Sequence, residues 1–413
     1  MTTEECTYYS SIKGGEMNTQ IINRWRQVLL WLVLFTFIIP IASASAKRPW
    51  HKKSAVKVMT QNLYLGADIF KVVDAAFIED ENGNLIPNPD PYAIPTAVAE
   101  VFNTMLYTNF PERAEAIADE IAKSKPHVIG LQEASTYYIQ TPSDFAQGNP
   151  VQADDLVIDF YSTLNAALKR RGLKYQAFFV TNADIEMPMI DPDSPTYLSD
   201  VRLVDHDVIL VRKGLWAKKA YDGNYFYNLS LNLGGTDVEF TRGYVAVEAK
   251  IQGEKYRFLN THLEVRDGAE SEFRIIQALQ MNELLQILEK EKRPIIMTGD
   301  FNSSEEDEPF THDVYGPIVP PYWQAVDKGY LDAWKLQKDY GDGYTSGFDE
   351  LVSDPTAKLT TRIDLIFVDR KKLKIESVDA EVVGDEIGDR TPSGLWPSDH
   401  AGVVAKIRFS HKK

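Results

Sequence analysis

Short apolar runs that end on polar residues alternate with amphipathic stretches from residue 56 to residue 409 of this 413-residue chain. Two stretches, 111–126 and 269–290, have apolar residues at helical spacing, and the first has a proline just inside its start. Strands are predicted at 56–66, 127–134, 205–214, 242–251, 255–265, 295–300, 361–370 and 402–409. Because strands and helices interleave, the sequence predicts an α/β domain built in layers.

The stretch IIMTGDFNSS, residues 295–304, illustrates how one of these strands ends. Asp300 and Asn302 are two residues apart, so in an extended chain their side chains face the same point. Gly299, directly before them, permits a bend or a close approach of another group. A surface turn explains the stretch equally well, because Gly, Asp and Asn are ordinary turn residues.

The same kind of polar ending recurs on strand after strand. The other residues concerned are Asn62, Glu133, His262, Asp364, Asp399 and His400. Each one alone is compatible with a solvated strand end, but their number and types favour one shared site. Carboxylate and amide oxygens are the ligands that Mg²⁺ prefers, and histidines can donate to a charged oxyanion. The sequence contains no Gly-rich phosphate loop and no Ser-His-Asp elbow.

The first 46 residues have the parts of a secretory signal peptide. Two arginines precede a 14-residue apolar run at 28–41, and an Ala-x-Ala site ends at Ala46. A transmembrane anchor is the alternative, but a span takes about 20 apolar residues. We therefore expect a secreted or periplasmic protein, cleaved after Ala46 and left without a transmembrane anchor. Met17 could be the true start.

Charge and cysteine content narrow the function classes. The net charge of −16 makes the chain a poor non-specific partner for nucleic acid or anionic membranes, and a suitable host for divalent cations. Its one cysteine, Cys6, would be lost with the signal peptide. Zinc-thiolate sites and a cysteine nucleophile are therefore excluded, and the length allows a hydrophobic core without disulfides.

One catalytic domain, 56–413, is predicted to follow a basic tail at 47–55. Two long acidic stretches dotted with prolines, 67–110 and 182–202, are interpreted as insertions at the rim of this domain. The second would repel a polyanion if it borders the site.

Six strings, in chain order TQNLYLG, GLQEA, LNTHLEV, TGDFNSS, RIDLIFV and PSDHAGV, span about residues 56–409. In these strings and their order the chain resembles the endonuclease/exonuclease/phosphatase superfamily of DNases, abasic-site endonucleases, neutral sphingomyelinases and inositol-phosphate 5-phosphatases. The resemblance implies a four-layer α-β-β-α sandwich, with two mixed sheets flanked by helices. It also implies hydrolysis of a phosphoester that depends on Mg²⁺ or Mn²⁺.

The resemblance further implies a role for each polar strand end. Asn62 and Glu133 would be metal ligands, with Asp399 at the edge of the metal site. Asp300 would align or deprotonate the attacking water, and Asn302 would donate a hydrogen bond to the attacked phosphate.

The two histidines would complete the site implied by the resemblance. His400, oriented by Asp364, would stabilise the charged phosphate or protonate the leaving oxygen, and His262 would do the same from the opposite side. An acid beside each histidine would fix its tautomer and raise its pKa. For His262 that acid could be Asp205 or Asp207.

The predicted function is thus an exported phosphodiesterase that acts on nucleic acid or on a phospholipid such as sphingomyelin, with no obligate protein partner. The alternatives are a phosphomonoesterase of the same superfamily, a catalytically idle binding protein on the same scaffold, and a metal-free pair of carboxyl groups, Glu133 and Asp300, as in glycosidases. The inositol phosphatase branch is disfavoured, because its Trp-Cys-Asp-Arg string is absent near RIDLIF.

Overall fold

The computed structural model describes residues 53–266 and 272–411. The predicted signal peptide and residues 47–52 of the predicted tail lie outside these ranges. Within the described ranges, no helix is long and apolar enough to cross a membrane.

The helices of these ranges are α1 (Phe70–Ala75), α2 (Ala93–Tyr107), α3 (Phe110–Ser124), α4 (Phe160–Arg170), α5 (Glu272–Glu289) and α6 (Pro321–Lys328). The strands are β1 (Lys53–Asn62), β2 (Phe77–Glu79), β3 (Leu85–Pro87), β4 (Val128–Gln132), β5 (Thr136–Gln140), β6 (Asp155–Asp159), β7 (Tyr175–Ile190), β8 (Leu198–Arg212), β9 (Trp216–Asn224), β10 (Leu229–Leu233), β11 (Thr236–Phe240), β12 (Gly243–Ile251), β13 (Glu254–His262), β14 (Ile295–Asp300), β15 (Phe310–His312), β16 (Gly316–Ile318), β17 (Tyr330–Asp332), β18 (Asp364–Asp369), β19 (Leu373–Val383) and β20 (Gly402–His411). Strand β1 thus begins inside the stretch predicted as a tail.

Two large sheets organise these strands. Sheet I has the order β19-β20-β1-β4-β8-β5-β6, with β7 also paired to β8, and sheet II has the order β17-β18-β14-β13-β12-β9. Both sheets are mixed. Strand β1 runs parallel to β4 and β13 runs parallel to β14, whereas the other ladders of the two sheets are antiparallel.

The two sheets pack face to face and helices cover their outer faces. One core cluster joins Val58 and Ile209 of sheet I to Val247 and Phe258 of sheet II. A second cluster packs α2, α3 and α4 on sheet I, and a third packs α5 and α6 on sheet II. Strands buried on both faces are near-continuous apolar runs, which is why the sequence revealed them. The predicted α/β class and four-layer sandwich are confirmed.

A buried polar bridge holds the sheets together beneath the site. Asn260 of β13 donates from Nδ2 to the carbonyl of Leu131 at 2.8 Å and accepts from Nε2 of Gln132 at 2.6 Å. A Cβ at Gly130 would overlap Asn260 and Thr298, so the glycine permits this close approach. The bridge fixes the position of β4 relative to β13, and both strands end at the site.

Most of the stretch 182–202 is strand, and its interpretation as an insertion at the rim stays a prediction. The stretch forms the far part of the β7–β8 hairpin, which extends sheet I past a register shift between Thr181 and Asp184. Met187 and Met189 alternate inward at the strand period and are buried. Proline and acidic residues hid this alternation in the sequence. Pro188 is tolerated because β7 pairs with β8 alone. The stretch 67–110 holds α1, the β2–β3 hairpin and α2.

Candidate active site

Sheet II brings three of the predicted residues together through its strand directions. Parallel β13 and β14 both end at the same edge, so their last residues, His262 and Asp300, are register partners. Strand β18 runs the opposite way, so its first residue, Asp364, pairs with Asp300. Asn302 follows two residues after β14, and its backbone N–H donates to Oδ1 of Asp300 at 2.9 Å.

Sheet I supplies the rest from the facing edge. Asn62 ends β1 and is the register partner of the last residue of β4, directly before Glu133. Asp399 and His400 come just before β20, which runs antiparallel to β1. Asn62 joins the two sheets, because its Nδ2 donates to Oε1 of Glu133 at 3.2 Å and to Oδ2 of Asp300 at 3.1 Å.

A cleft of about 280 Å³ opens over these strand ends. Its walls include six of the eight predicted residues, namely Glu133, His262, Asp300, Asn302, Asp399 and His400. The other two, Asn62 and Asp364, are buried and hydrogen-bond to residues that line the cleft. The structure therefore places all eight in one site, while the role of each stays a prediction.

The backbone at the site adopts an uncommon conformation. Glu133 and Asn302 have φ angles of 55° and 47°, in the left-handed region that Asn tolerates better than Glu. Glu133 is held there by the backbone N–H of Leu65, which donates to its Oε2 at 2.6 Å. Strained residues of this kind cluster at functional sites.

The carboxyl groups of the site resist ionisation. Burial raises the pKa of Glu133 to about 7, with Asp399 and Asp205 adding to the effect. Burial also raises the pKa of Asp300 to about 6, and the neighbouring Asp364 contributes. A bound cation would relieve this crowding of negative charge, so the site is suited to one.

The donor chemistry distinguishes two possible positions for that cation. Ligand atoms of Asp300, Asp364 and His400 lie within 4.8 Å of one another. However, His400 Nδ1 is 2.8 Å from Oδ2 of Asp364, and a protonated imidazole in such a pair has no lone pair for a metal. The oxygens of Asn62 and Glu133 fit a hard divalent cation better.

We expect Glu133→Gln to stabilise the metal-free protein increasingly as the pH rises. A carboxyl group whose pKa is higher folded than unfolded contributes stability below its unfolded pKa of about 4.3, and that contribution is lost as the pH rises through the folded value. The folded value here is about 7. The Tm difference between variant and wild type in EDTA should therefore be larger at pH 8 than at pH 5, by an amount equivalent to on the order of 2–3 kcal/mol.

The control for this prediction is Glu381→Gln on β19, which removes an exposed carboxylate that does not line the cleft. A Glu133→Gln variant whose Tm difference is independent of pH would contradict the raised pKa.

The two histidines have opposite electrostatic surroundings. For His400, burial alone would lower the pKa, but Asp364, Asp399 and Asp300 raise it well above its usual value. For His262, burial lowers the pKa well below its usual value, and Arg242 adds to the effect.

The prediction of a raised pKa at His262 is therefore wrong. Its hydrogen-bond partners within the described residues are Arg242, whose Nη1 lies 3.1 Å from Nδ1, and Asn302, whose Nδ2 lies 3.2 Å from Nε2. Since a guanidinium can only donate, it favours a neutral imidazole that accepts. The carboxylate oxygen Oδ2 of Asp300 lies 3.6 Å from Nε2 of His262, beyond hydrogen-bond distance.

Neither acid considered for His262 is bonded to it in the described ranges. Asp205 accepts from Oγ of Ser135 at 2.9 Å and from Nδ2 of Asn182 at 3.1 Å. Asp207 is fully buried, and burial together with Asp205 raises its pKa well above the usual range.

Arg242 is a cleft residue that the sequence interpretation missed. It lines the cleft, and its Nη2 donates to Oε1 of the buried Glu264 at 3.1 Å. A signal was present: Arg242 directly precedes β12, whose first residue, Gly243, pairs with His262. The rule that located the other polar strand ends would have located this one.

Arg113 is a second missed residue, with a positioning role. Its buried guanidinium donates to the carbonyls of Leu63, Tyr64, Thr108 and Pro397 at distances between 2.7 and 3.1 Å. It thereby ties the loop after β1 to the loop before β20, which carry Asn62 and Asp399. No sequence pattern signals this contact, because it joins chain segments far apart in sequence.

The protein is a four-layer α/β sandwich. Its cleft is suited to binding a divalent cation together with a ligand that carries a negatively charged group. A family model for the endonuclease/exonuclease/phosphatase family matches residues 101–400, and the chain belongs to this family. Members of the family are metal-dependent phosphoester hydrolases.

Individual relatives are distant. The chain is 28% identical to rat Nocturnin over 171 residues, which cover 40% of this chain and 36% of that protein; human Nocturnin is 26% identical over 183 residues. The match thus spans about a third of the length of these curated relatives.

Solved structures similar to this chain include two that it covers almost completely. The human Nocturnin catalytic domain with bound sulfate is 18% identical, with 87% of this chain and 94% of that chain covered and a TM-score of 0.44. An endonuclease/exonuclease/phosphatase family protein from Bacteroides thetaiotaomicron is 16% identical, with 87% and 99% covered and a TM-score of 0.47.

Proposed function

We propose that this protein is an exported phosphodiesterase that depends on Mg²⁺ or Mn²⁺ and hydrolyses its substrate by in-line attack of water. The observation that carries the proposal is the grouping in one cleft of Glu133, Asp300 and His400, with the buried Asp364 paired to His400 at 2.8 Å. Export is supported by the sequence pattern of the first 46 residues.

Glu133 and Asn62 would hold the cation, with Asp399 at its edge. A divalent cation in this position neutralises charge on the phosphate and so favours the transition state. The support for these ligands is their oxygen chemistry and the burial of Glu133 beside Asp399, which raises the pKa of Glu133 and which a cation would offset.

Protons would move through the chain's own residues. Asp300 accepts hydrogen bonds from Asn302 and Asn62, so its carboxylate is fixed, and its pKa of about 6 suits a base near neutral pH. The water oxygen bonds to phosphorus as the bond to the leaving oxygen breaks. The water proton passes to Asp300, and protonated His400 gives a proton to the leaving oxygen.

The wall formed by Arg242, His262 and Asn302 would stabilise the charged phosphate. Arg242 supplies a permanent positive charge there, and the pKa of this guanidinium, which burial alone would lower, is raised by Glu264. Neutral His262 and Asn302 add hydrogen-bonding groups beside it. The positive charge on this wall thus comes from Arg242 rather than from His262.

The test is turnover of bis(4-nitrophenyl) phosphate by the mature protein with Mg²⁺ or Mn²⁺. EDTA should reduce the rate to background, and either ion should restore it. Hydrolysis that survives exhaustive chelation would exclude the metal-dependent mechanism. Preference for 4-nitrophenyl phosphate would favour a phosphomonoesterase, and phosphate binding without turnover would favour a binding protein.

Export is tested separately by sequencing the N-terminus of the protein recovered outside the cytoplasm. The mature chain should begin at Lys47. A full-length product retained in the membrane would contradict cleavage after Ala46.

A further inference from the structure

A second, apolar cavity of about 70 Å³ adjoins the active-site cleft. The two spaces share four wall residues, which are Ile69, Ile185, Leu203 and Phe240. The other residues around this apolar side cavity are also hydrophobic, apart from the hydroxyl group of Tyr137. That hydroxyl already donates to the carbonyl of Leu65 at 2.8 Å, so the cavity offers no free polar partner.

The apolar side cavity is built by the parts of the chain that surround the common sandwich. Helix α2 contributes Val98 and Phe102, and the hairpin β10–β11 contributes Val238. The long β7–β8 hairpin contributes Met187 and Val201. The acidic stretch 67–110, interpreted above as an insertion, thus forms part of a wall beside the site.

Besides the four shared residues, Leu65 connects this wall to the reacting region through two hydrogen bonds. The N–H of Leu65 donates to Oε2 of Glu133 at 2.6 Å, and the carbonyl of Leu65 accepts from Tyr137 in the cavity wall. Leu65 itself lines the cleft. A group in the apolar side cavity would therefore lie next to the proposed metal ligand.

We propose that the apolar side cavity binds a hydrocarbon substituent of the phosphodiester, so that the substrate is lipid-like rather than a nucleic acid. This inference rests on the proposed function and names its substrate class. A water needs about 10–15 Å³ of such space, so the cavity of about 70 Å³ holds a chain of about five to seven carbons.

The charge of the same wall disfavours a polynucleotide. Residues 67–110 carry seven carboxylates and one basic residue, Lys71. Lys71 is paired with both Glu100 and Glu350, at 2.8 and 2.9 Å. Asp68 is the one of these carboxylates that lines the cleft, so the negative charge would act on a polyanion that extends from the cleft over this stretch, and not on a single phosphodiester with an apolar arm.

The experiment uses a series of 4-nitrophenyl phosphodiesters whose second ester is methyl, butyl, hexyl or decyl, with the purified protein and Mg²⁺. The leaving group is constant, so the series varies apolar burial alone. Each methylene that enters the cavity should raise kcat/KM about three- to fourfold, and the gain should level off near six carbons. Equal kcat/KM for the methyl and hexyl esters would overturn the inference and leave the proposed function intact.

Variants of Val98 connect the effect to the cavity. This valine is buried on α2 and has no part in the proposed chemistry. Val98→Phe should fill the cavity, leave the methyl ester unchanged and remove the advantage of the hexyl ester. Val98→Ala should move the plateau to a longer chain, and it keeps the test valid if the larger side chain prevents folding. Val314→Phe on an exposed turn is the control for an added ring.

Binding gives a readout that does not require turnover. Hexylphosphonate should bind more tightly than methylphosphonate with Mg²⁺ present, and Val98→Phe should remove the difference. Chain-dependent binding without hydrolysis would keep this inference and count against the proposed function. Equal binding of the two phosphonates, or a higher kcat/KM for a short single-stranded oligonucleotide than for the hexyl ester, would overturn the lipid-like substrate.

Discussion

Asp300→Asn should lower kcat by about 10²- to 10⁴-fold, as expected for loss of a general base, without lowering the Tm of the metal-free protein. The wild-type carboxyl is buried and its pKa is raised to about 6 by burial and by Asp364, so its ionised form destabilises the fold above that pH. The amide removes this charge, although it loses one of the two acceptor oxygens that bond Asn302 and Asn62. At pH 8 we expect an unchanged or higher Tm.

A matched contrast comes from Asp332, a buried acid outside the cleft. Its Oδ2 is paired with Nη1 of Arg362 at 2.7 Å. Asp332→Asn should therefore retain kcat, because Asp332 does not line the cleft, and it shows what the loss of one buried carboxylate does outside the active site.

Asn302 provides a second test of whether the stretch 295–304 belongs to the active site or is only a turn. Its φ of 47° makes alanine a poor choice, because the strain would lower stability by itself. Asn302→Gly keeps this backbone conformation, and it should cost about 3 kcal/mol of transition-state stabilisation, the scale of one preorganised donor. Lost stability with retained kcat in Asp300→Asn and Asn302→Gly would return the stretch 295–304 to the interpretation as a turn.

The second large effect is expected at His400. His400→Ala should lower kcat by roughly 10²-fold or more, because the leaving oxygen loses its proton donor. His206→Ala is the matched control: this half-buried ring packs against Phe179 at a centroid distance of 5.9 Å. The control should keep its kcat, and a near-wild-type His400→Ala variant would place the chemistry elsewhere.

The pH dependence separates a chemical role of His400 from a structural one. Asp364 raises the pKa of His400 well above its usual value against the opposing effect of burial, and so favours the protonated form. In Asp364→Asn that pKa falls, and the acid form is lost at a lower pH. The alkaline limb of the kcat profile should therefore move to lower pH in the variant. An unmoved limb would contradict proton donation by His400.

Sequence patterns located the elements that are buried on both faces. The predicted 295–300 coincides with β14, and the helix predicted at 111–126 is α3 with its proline in the first turn. Strand β19 was not predicted, because LKIESVDAEVV exposes much of its length and lacks a continuous apolar run. Periodicity reports burial, so elements that are half exposed leave weaker signals.

The polar strand ends were predictable because strand direction alone carries them to one edge. The contacts of Arg113 with four carbonyls were not, since they depend on how two distant loops fold back on α3. Arg242 lies between these cases. Its position before β12 was visible in the sequence, but its contact with Glu264 was not.

By itself the sequence determined the α/β class and the residue types that gather at the edges of the two sheets, because both follow from local periodicity and strand direction. Only the tertiary structure determined the direction in which the pKa of each of those residues is shifted. His262 and His400 are the same side chain at similar strand ends, yet burial and Arg242 lower the pKa of His262, whereas Asp364 and two further acids raise that of His400 against the effect of burial. Coulombic effects depend on distances through space in a low-dielectric interior, and chain order does not contain those distances.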